Sequence, residues 1–425
     1  MPSGQADGDL TFTAAGNLYA THGLHAFAAR CPPPLVRWAI DRFTDSGDLV
    51  LDPMVGSGTL LVEGCLRGRR VWGADIDPLA RLIAKAKATP IDLDAYDKAV
   101  AEVEGIVADG SLNSGWRPKL PNWEYWFRED VAHDLARLRR AIPVAASDED
   151  VRDLLWVAFS SLIVGRTSVA NAQDLVHSRH HHREWTDNPD VPRRYSRRLW
   201  QVRRMLAAYL DSLAEQGVRD PEVAIVGSDA RHLAIDDGAV DLVCTSPPYC
   251  SALDYTRAHL FAVAWLADVL GTTVEDYRRL GRAYLGSERA PLSEATAELP
   301  FPAASGVGAV DELVTALSDD PRRAWIVSRY FRDMALVLDE AARVTRPGGH
   351  VVLVVCPSNI RRVAIPTHRV LAQLAERLPG PGRRLDLVEC RERTIHDGRR
   401  VMPYLESAFG PRMRTEYVLV LQKPR

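Results

Sequence analysis

"GDLVLDPMVGSGTLLVEGCLRGRRVWGADIDPLARLIAKAKA", residues 47–88, decides the fold of this chain. "LVLD" is a short apolar run and reads as a buried strand ending at Asp52. "PMVGSG" reads as a tight Gly-rich turn, because proline cannot extend a ladder and glycine supplies turn conformations. "TLLVEGCLRG" then reads as a helix closed at Gly68. "RVWGAD" is a second strand, and "PLARLIAKAKA" a second helix with Pro78 at its start. Strand, turn, helix and strand at this spacing imply a right-handed parallel crossover.

The same alternation returns far downstream. "EVAIVGSDA" (222–230) and "AVDLVCTS" (239–246) read as two more strands. "RYFRDMALVLDEAARVTRPGG" reads as a helix stopped by Pro347, Gly348 and Gly349, and "HVVLVVC" as a fifth strand. "RLDLVECRER" and "RTEYVLVLQK" close the chain as an expected antiparallel pair. The fold class is therefore α/β with a doubly wound sheet split in sequence: residues 1–90 and 220–425 form one discontinuous domain. Residues 91–219 read as a mostly helical insertion, with Ser147 capping "VRDLLWVAFSSLIV". Residues 284–320, rich in Ala, Pro, Ser and Gly, read as a mobile loop.

Bulk composition narrows the class. A chain of 425 residues that is 46% hydrophobic and 26% charged fits a soluble globular protein. "MPSGQADGDL" lacks the basic-then-apolar pattern of a secretory signal, and no apolar run reaches membrane-spanning length. The six cysteines form no CxxC pair, so neither a zinc knuckle nor a disulfide framework is expected, and a reducing cytoplasm is the natural setting. With a net charge of -3, any polyanion must be held by a local basic patch. Asp174 to Arg204 supplies one, with eight arginines against four acidic residues; Arg179, Arg183, Arg193, Arg194, Arg197 and Arg198 are the candidate phosphate contacts. "RHHH" (179–182) lacks an accompanying Cys or acidic ligand set, so no metal is expected.

The strand ends carry the chemistry. The Gly-rich turn lacks the Lys of a GxxxxGK(S/T) loop, which argues against a nucleoside triphosphate. Asp52 suits a cationic ligand group such as an ammonium. Asp75, closing the second strand, can accept hydrogen bonds from ribose hydroxyls, and Asp229, closing the third, from an adenine amino group. "TSPPYC" (245–250) follows the fourth strand with two prolines that stiffen the turn. Cys250, just beyond an apolar run, reads as structural.

Taken together, "DPMVGSGT" (52–59) and "SPPY" (246–249) resemble the S-adenosylmethionine-dependent DNA amino-methyltransferases, which methylate exocyclic cytosine-N4 or adenine-N6 amines. "HGLHAFAARCPPPLVRWAI" (22–40) resembles the segment that precedes the first strand in that family and lines its cofactor pocket. The resemblance covers residues about 17–90 and 220–425 and implies a Rossmann-like class I methyltransferase sheet. It implies S-adenosyl-L-methionine as cofactor, held by Asp52, Pro53, Gly56, Ser57, Gly58, Thr59, Asp75, Asp229 and His25. Ser246, Pro247, Pro248 and Tyr249 would carry catalysis on a base flipped out of the stack, with Tyr249 stacking on it. Serine at the first motif position resembles the cytosine-N4 type, although both amines offer the same two donors. DNA is the implied partner, with RNA not excluded; a companion restriction nuclease is compatible with the resemblance but is not legible in one chain. The competing readings are an adenine-N6 DNA enzyme, a base-amine RNA enzyme and a catalytically silent nucleic-acid adaptor. Intact Asp52, Gly56, Gly58, Ser246, Pro247 and Tyr249 weigh against the last.

Overall fold

The computed structural model describes the chain outside residues 1–9, 13–15, 17, 29, 111–113, 164–167, 173–181, 183–188, 251–254, 288–306 and 396–414. Strand β1 (Leu49–Asp52) and helix α2 (Thr59–Cys65) flank the Gly-rich turn; β2 (Arg70–Ala74) and α3 (Pro78–Ala88) follow, and α1 (Pro33–Phe43) precedes them. Asp77 caps α3 by accepting from Leu79 N, with Pro78 in the first turn. A run of helices comes next: α4 (Leu93–Asp109), α5 (Trp123–Trp126), α6 (Glu129–Ala145), α7 (Glu149–Ile163) and α8 (Val191–Glu215). Then come β3 (Val223–Gly227), β4 (Val240–Thr245), α9 (Tyr255–Leu266), α10 (Val274–Leu280), α11 (Gly308–Ala316) and α12 (Pro321–Val344). The chain closes with β5 (Thr345–Val355), β6 (Ser358–Ile360), β7 (Val363–Ile365), α13 (Thr367–Glu376), β8 (Asp386–Thr394) and β9 (Thr415–Gln422).

Seven strands form one sheet in the order β3-β2-β1-β4-β5-β9-β8. The first five run parallel, whereas β9 pairs antiparallel with both β5 and β8. Side-chain alternation along β5 shows how the sheet is sandwiched. Val352 and Val354 pack with Leu35, Val36 and Ile40 of α1 and Leu60 to Val62 of α2. Val351, Leu353 and Val355 pack with α12 and with Val370, Leu371 and Leu374 of α13 on the other face.

The inserted helices have no core of their own. Residues of α4, α6, α7 and α8 share one apolar cluster with Leu79 and Ile83 of α3 and Phe261 to Leu266 of α9. They extend one helical layer of the sheet domain. No helix among the described residues is long and apolar enough to cross a membrane.

Two local expectations need correction. Asp148, not Ser147, caps α7: its Oδ1 accepts from Asp150 N and Val151 N. The carboxylate reaches two orphan amides and also opposes the helix dipole, which a serine does not do. Within 284–320, residues 308–316 form α11 against α12, with Val310 buried, because an Ala- and Val-rich stretch has an apolar face to bury; residues 288–306 lie outside the described ones. The β6–β7 hairpin was not legible, since its turn places Arg361 and Arg362 at φ 52° and 68° instead of using an Asn-Gly pair.

Candidate active site

A parallel sheet delivers the C-terminal ends of its strands to one edge. Here that edge receives Asp52 from β1, Asp75 just past β2, Asp229 just past β3 and Ser246 just past β4. All four line one open cleft. Pro53, Gly56, Ser57, Thr59 and Pro248 line it as well.

The Gly-rich turn is built by close approach. Gly56 has φ 45°, and a Cβ there would come within 3.2 Å of the Phe27 ring. Gly58 has φ 76°, and a Cβ there would lie 2.7 Å from Ala84 Cα. Gly58 thus lets α2 pack on α3 and does not itself reach the cleft wall. Asp75 ties the turn to the second strand: Oδ2 accepts from Gly56 N at 2.8 Å and Oδ1 from Asp77 N at 2.9 Å. Each oxygen keeps a lone pair for a further donor. Lys87, fully buried, donates to Ser57 O from behind at 3.0 Å.

Electrostatics mark the cleft as a seat for a cation. Burial pushes the Asp52 carboxyl up to about 7, against the Thr245 hydroxyl and the Met54 N–H, which favour its ionised form. Burial and the neighbouring Asp77 carboxylate push Asp75 up to about 6. Among the described residues, neither carboxylate has an ion-pair partner within 4.0 Å. A buried carboxylate without a cation is costly, and a ligand ammonium relieves that cost. Asp229 differs. Burial pushes it up, but two 2.8 Å hydrogen bonds from Arg231 hold it below the usual carboxylate range. Arg231 also lines the cleft and lies 3.5 Å from Asp333 of α12.

The proline turn shows a directed hydroxyl. Ser246 Oγ donates to Val354 O of β5 at 3.2 Å, so its hydrogen is committed and its lone pairs remain for a donor in the cleft. Tyr249 turns away: its hydroxyl donates to Glu416 Oε1 of β9 at 2.8 Å, and neither it nor Pro247 is on the cleft wall. Cys250 is buried.

His25 is also off the wall. Its ring is buried with Nε2 2.9 Å from Ser160 Oγ of α7 and Nδ1 2.6 Å from Ala26 O, which anchors the N-terminal segment to the helical layer. From that segment it is Phe27, Arg30 and Cys31 that reach the cleft. The candidate phosphate contacts also divide. Arg193 and Arg197 are exposed, whereas Arg194 and Arg198 are half-buried. Arg198 is committed inward, donating to the carbonyls of Gly23 and Leu24 and to Ser161 Oγ. It is therefore a structural tie, because a fully engaged guanidinium has few donors left for phosphate. Arg179 and Arg183 lie outside the described residues.

Several wall residues were not singled out from sequence: Phe27, Arg231, Tyr284 and Leu285. Asp77 is another. Its Oδ2 accepts from His259 Nδ1 at 2.6 Å and Tyr277 OH at 2.9 Å, tying the end of β2 to α9 and α10. An Asp before Pro at a helix start signals the cap, but nothing local reveals partners 182 and 200 residues away.

Comparison with known proteins agrees with this architecture. A profile of the N6/N4 DNA methylase family matches residues 9–86, from before the His25 segment nearly to the end of α3. The Type II methyltransferase M.MvaI of Kocuria varians is 24% identical over 380 residues, spanning 86% of this chain and 83% of its own. The Type II methyltransferase M.BsoBI of Geobacillus stearothermophilus is 22% identical over 401 residues, spanning 80% of this chain and 75% of its own. A solved SAM-dependent methyltransferase from Methanosarcina mazei aligns over 91% of this chain and 96% of its own at 10% identity and a TM-score of 0.31, too loose an overlap to carry an argument.

Proposed function

We propose that this chain, which belongs to the N6/N4 DNA amino-methyltransferase family, transfers a methyl group from S-adenosyl-L-methionine to the N4 amine of cytosine in DNA. The observation that supports this reading is the sharing of one cleft by a cation-seeking carboxylate, Asp52, and a hydroxyl acceptor, Ser246. The bound cofactor would supply a methyl group made electrophilic by its sulfonium.

The chain's own residues hold the two reactants in line. Asp52 takes the cofactor ammonium, Asp75 its ribose hydroxyls and Asp229 its adenine amino group. Gly56 lets the ligand approach the backbone, and Pro53, Ser57 and Thr59 shape the same wall. On the target side, the amine of an extruded base donates to Ser246 Oγ, which lines the cleft. Accepting that hydrogen returns lone-pair density to a nitrogen otherwise conjugated with its ring. With nitrogen, carbon and sulfur aligned, the N–C bond forms as the C–S bond breaks, the cofactor leaves as a neutral thioether, and the methylated nitrogen releases one proton to solvent; a direct displacement of this kind needs no covalent nucleophile. Pro248 stiffens the turn, and Tyr249 anchors it to β9. Stacking on the base falls to Tyr255 and Tyr284, which line the cleft with ring centroids 6.4 Å apart and planes 17° apart.

The decisive experiment is digestion of DNA treated with the protein and cofactor to nucleosides, followed by mass spectrometry. N4-methylcytosine is the expected product. N6-methyladenine would keep the reaction and overturn the base assignment; methylated RNA with unmodified DNA would overturn the substrate.

Arg231→Gln should weaken cofactor binding roughly tenfold, with turnover at saturating cofactor little changed, because the guanidinium that orients both Asp229 oxygens is lost. Cofactor titration beside steady-state rates checks this. A fall in turnover with unchanged affinity would move Arg231 to the target side.

A further inference from the structure

The outer face of α8 sorts its arginines. Val191, Tyr195, Leu199, Val202, Leu206, Tyr209 and Leu213 form the buried face. Opposite them, within about 60° of arc at 3.6 residues per turn, stand Arg193, Arg197, Trp200 and Arg204. All four are exposed. The indole of Trp200 is 58% exposed, the largest exposure of any aromatic ring among the described residues. Arg204 stacks on it, with its guanidinium carbon 4.9 Å from the ring centroid. Stacking holds that guanidinium flat and pointed outward.

The guanidinia of Arg193, Arg197 and Arg204 pair with no carboxylate within 4.0 Å among the described residues. Their neighbours on the same helix do have internal partners: Arg203 pairs with Asp97 of α4 at 2.8 Å, and Arg198 with backbone carbonyls. Helix stability does not account for the pattern either. Arg193 stands in the first turn, where the helix dipole disfavours a cation, and the Asp190 cap beside it gives its Oδ1 to the Arg193 backbone N–H. The stripe changes sign beyond Arg204, where Asp211 and Glu215 occupy the same exposed face.

We propose that the stripe Arg193–Arg197–Trp200–Arg204 docks on the phosphate backbone of duplex DNA. The proposal rests on the function proposed above, and it names the protein surface that holds the substrate outside the cleft. Charge complementarity selects this occupant: three guanidinia without an ion pair among the described residues lie on a chain whose net charge is -3. From Arg193 to Arg204 the helix rises about 16 Å, over which one DNA strand presents about five phosphates. The stripe is rigidly joined to the cleft. Arg198, on the same helix, is bonded to the carbonyls of Gly23 and Leu24, and that segment runs on to Phe27 and Arg30 on the cleft wall.

The test is the salt dependence of binding to a mixed-sequence duplex, for the full chain and for R193Q/R197Q/R204Q. Each phosphate contact adds about 0.9 to the slope of log affinity against log salt, so the triple variant should lose about 2.7. Its cofactor affinity should match the wild type, which also shows that it is folded. An unchanged slope, with wild-type DNA methylation detected in parallel, overturns the docking surface and leaves the proposed function standing. Failure of the wild-type chain to bind or methylate any duplex overturns the proposed function, and the docking surface with it. A slope that falls only on a single-stranded RNA of the same sequence overturns the choice of duplex DNA.

Discussion

Cofactor affinity should rise nearly 100-fold as pH is raised from about 5 to about 7.5, and Asp52→Asn should abolish that rise. The cofactor ammonium needs the ionised carboxylate, and burial pushes the Asp52 carboxyl up to about 7. Below that value each unit of pH removes about tenfold of the binding-competent form. Above about pH 8 the ligand's own α-ammonium begins to lose its proton, which closes the window.

The sign for stability runs the other way. In the ligand-free fold, Asp52 and Asp75 hold protons that the unfolded chain releases near pH 4. Their contribution to folding is therefore present at low pH and is lost as pH rises through about 6 for Asp75 and about 7 for Asp52. Added cofactor stabilises the fold by mass action, so the cofactor-induced rise in Tm should grow over the same interval. Isothermal titration and thermal melts across the series check both halves. A cofactor affinity that is flat with pH in the wild type would remove Asp52 from the ammonium seat.

What was legible in the sequence was whatever local chemistry dictates. The segment from Leu49 to Ala88 yields its strands and helices almost to the residue, because Pro53, the Gly-rich turn, Gly68 and the Asp77–Pro78 cap each mark a boundary by a backbone rule. Asp52, Asp75, Asp229 and Ser246 were legible for a related reason: each sits where a parallel strand ends, and such ends share an edge. Side-chain direction was not legible. His25 and Phe27 are two residues apart, yet one is bonded to Ser160 in the helical layer and the other faces Gly56. Arg197 and Arg198 are adjacent, yet one meets solvent and the other the carbonyls of Gly23 and Leu24. Nor did a composition shift near residue 91 announce that the inserted helices would share a core with α3 and α9, since an apolar helix face looks alike whichever partner covers it.

Ser246→Ala should lower kcat by about 100- to 1,000-fold while leaving cofactor affinity within about twofold of the wild type; that range is typical for loss of one preorganised polar contact at a reacting centre. The argument turns on which way the hydroxyl points. Its hydrogen is held by Val354 O, so what faces the cleft is an acceptor, and a base amine has two hydrogens to give. Ser246→Asn supplies a carbonyl oxygen at the same turn and should keep more activity than Ala. A purely structural serine predicts otherwise. Losing only the bond to Val354 would cost about 1 kcal/mol of stability and leave kcat close to wild type. Melting temperature and single-turnover rate measured on the same preparations therefore separate the two roles. A variant that melts early but turns over normally would reduce Ser246 to a strut between β4 and β5.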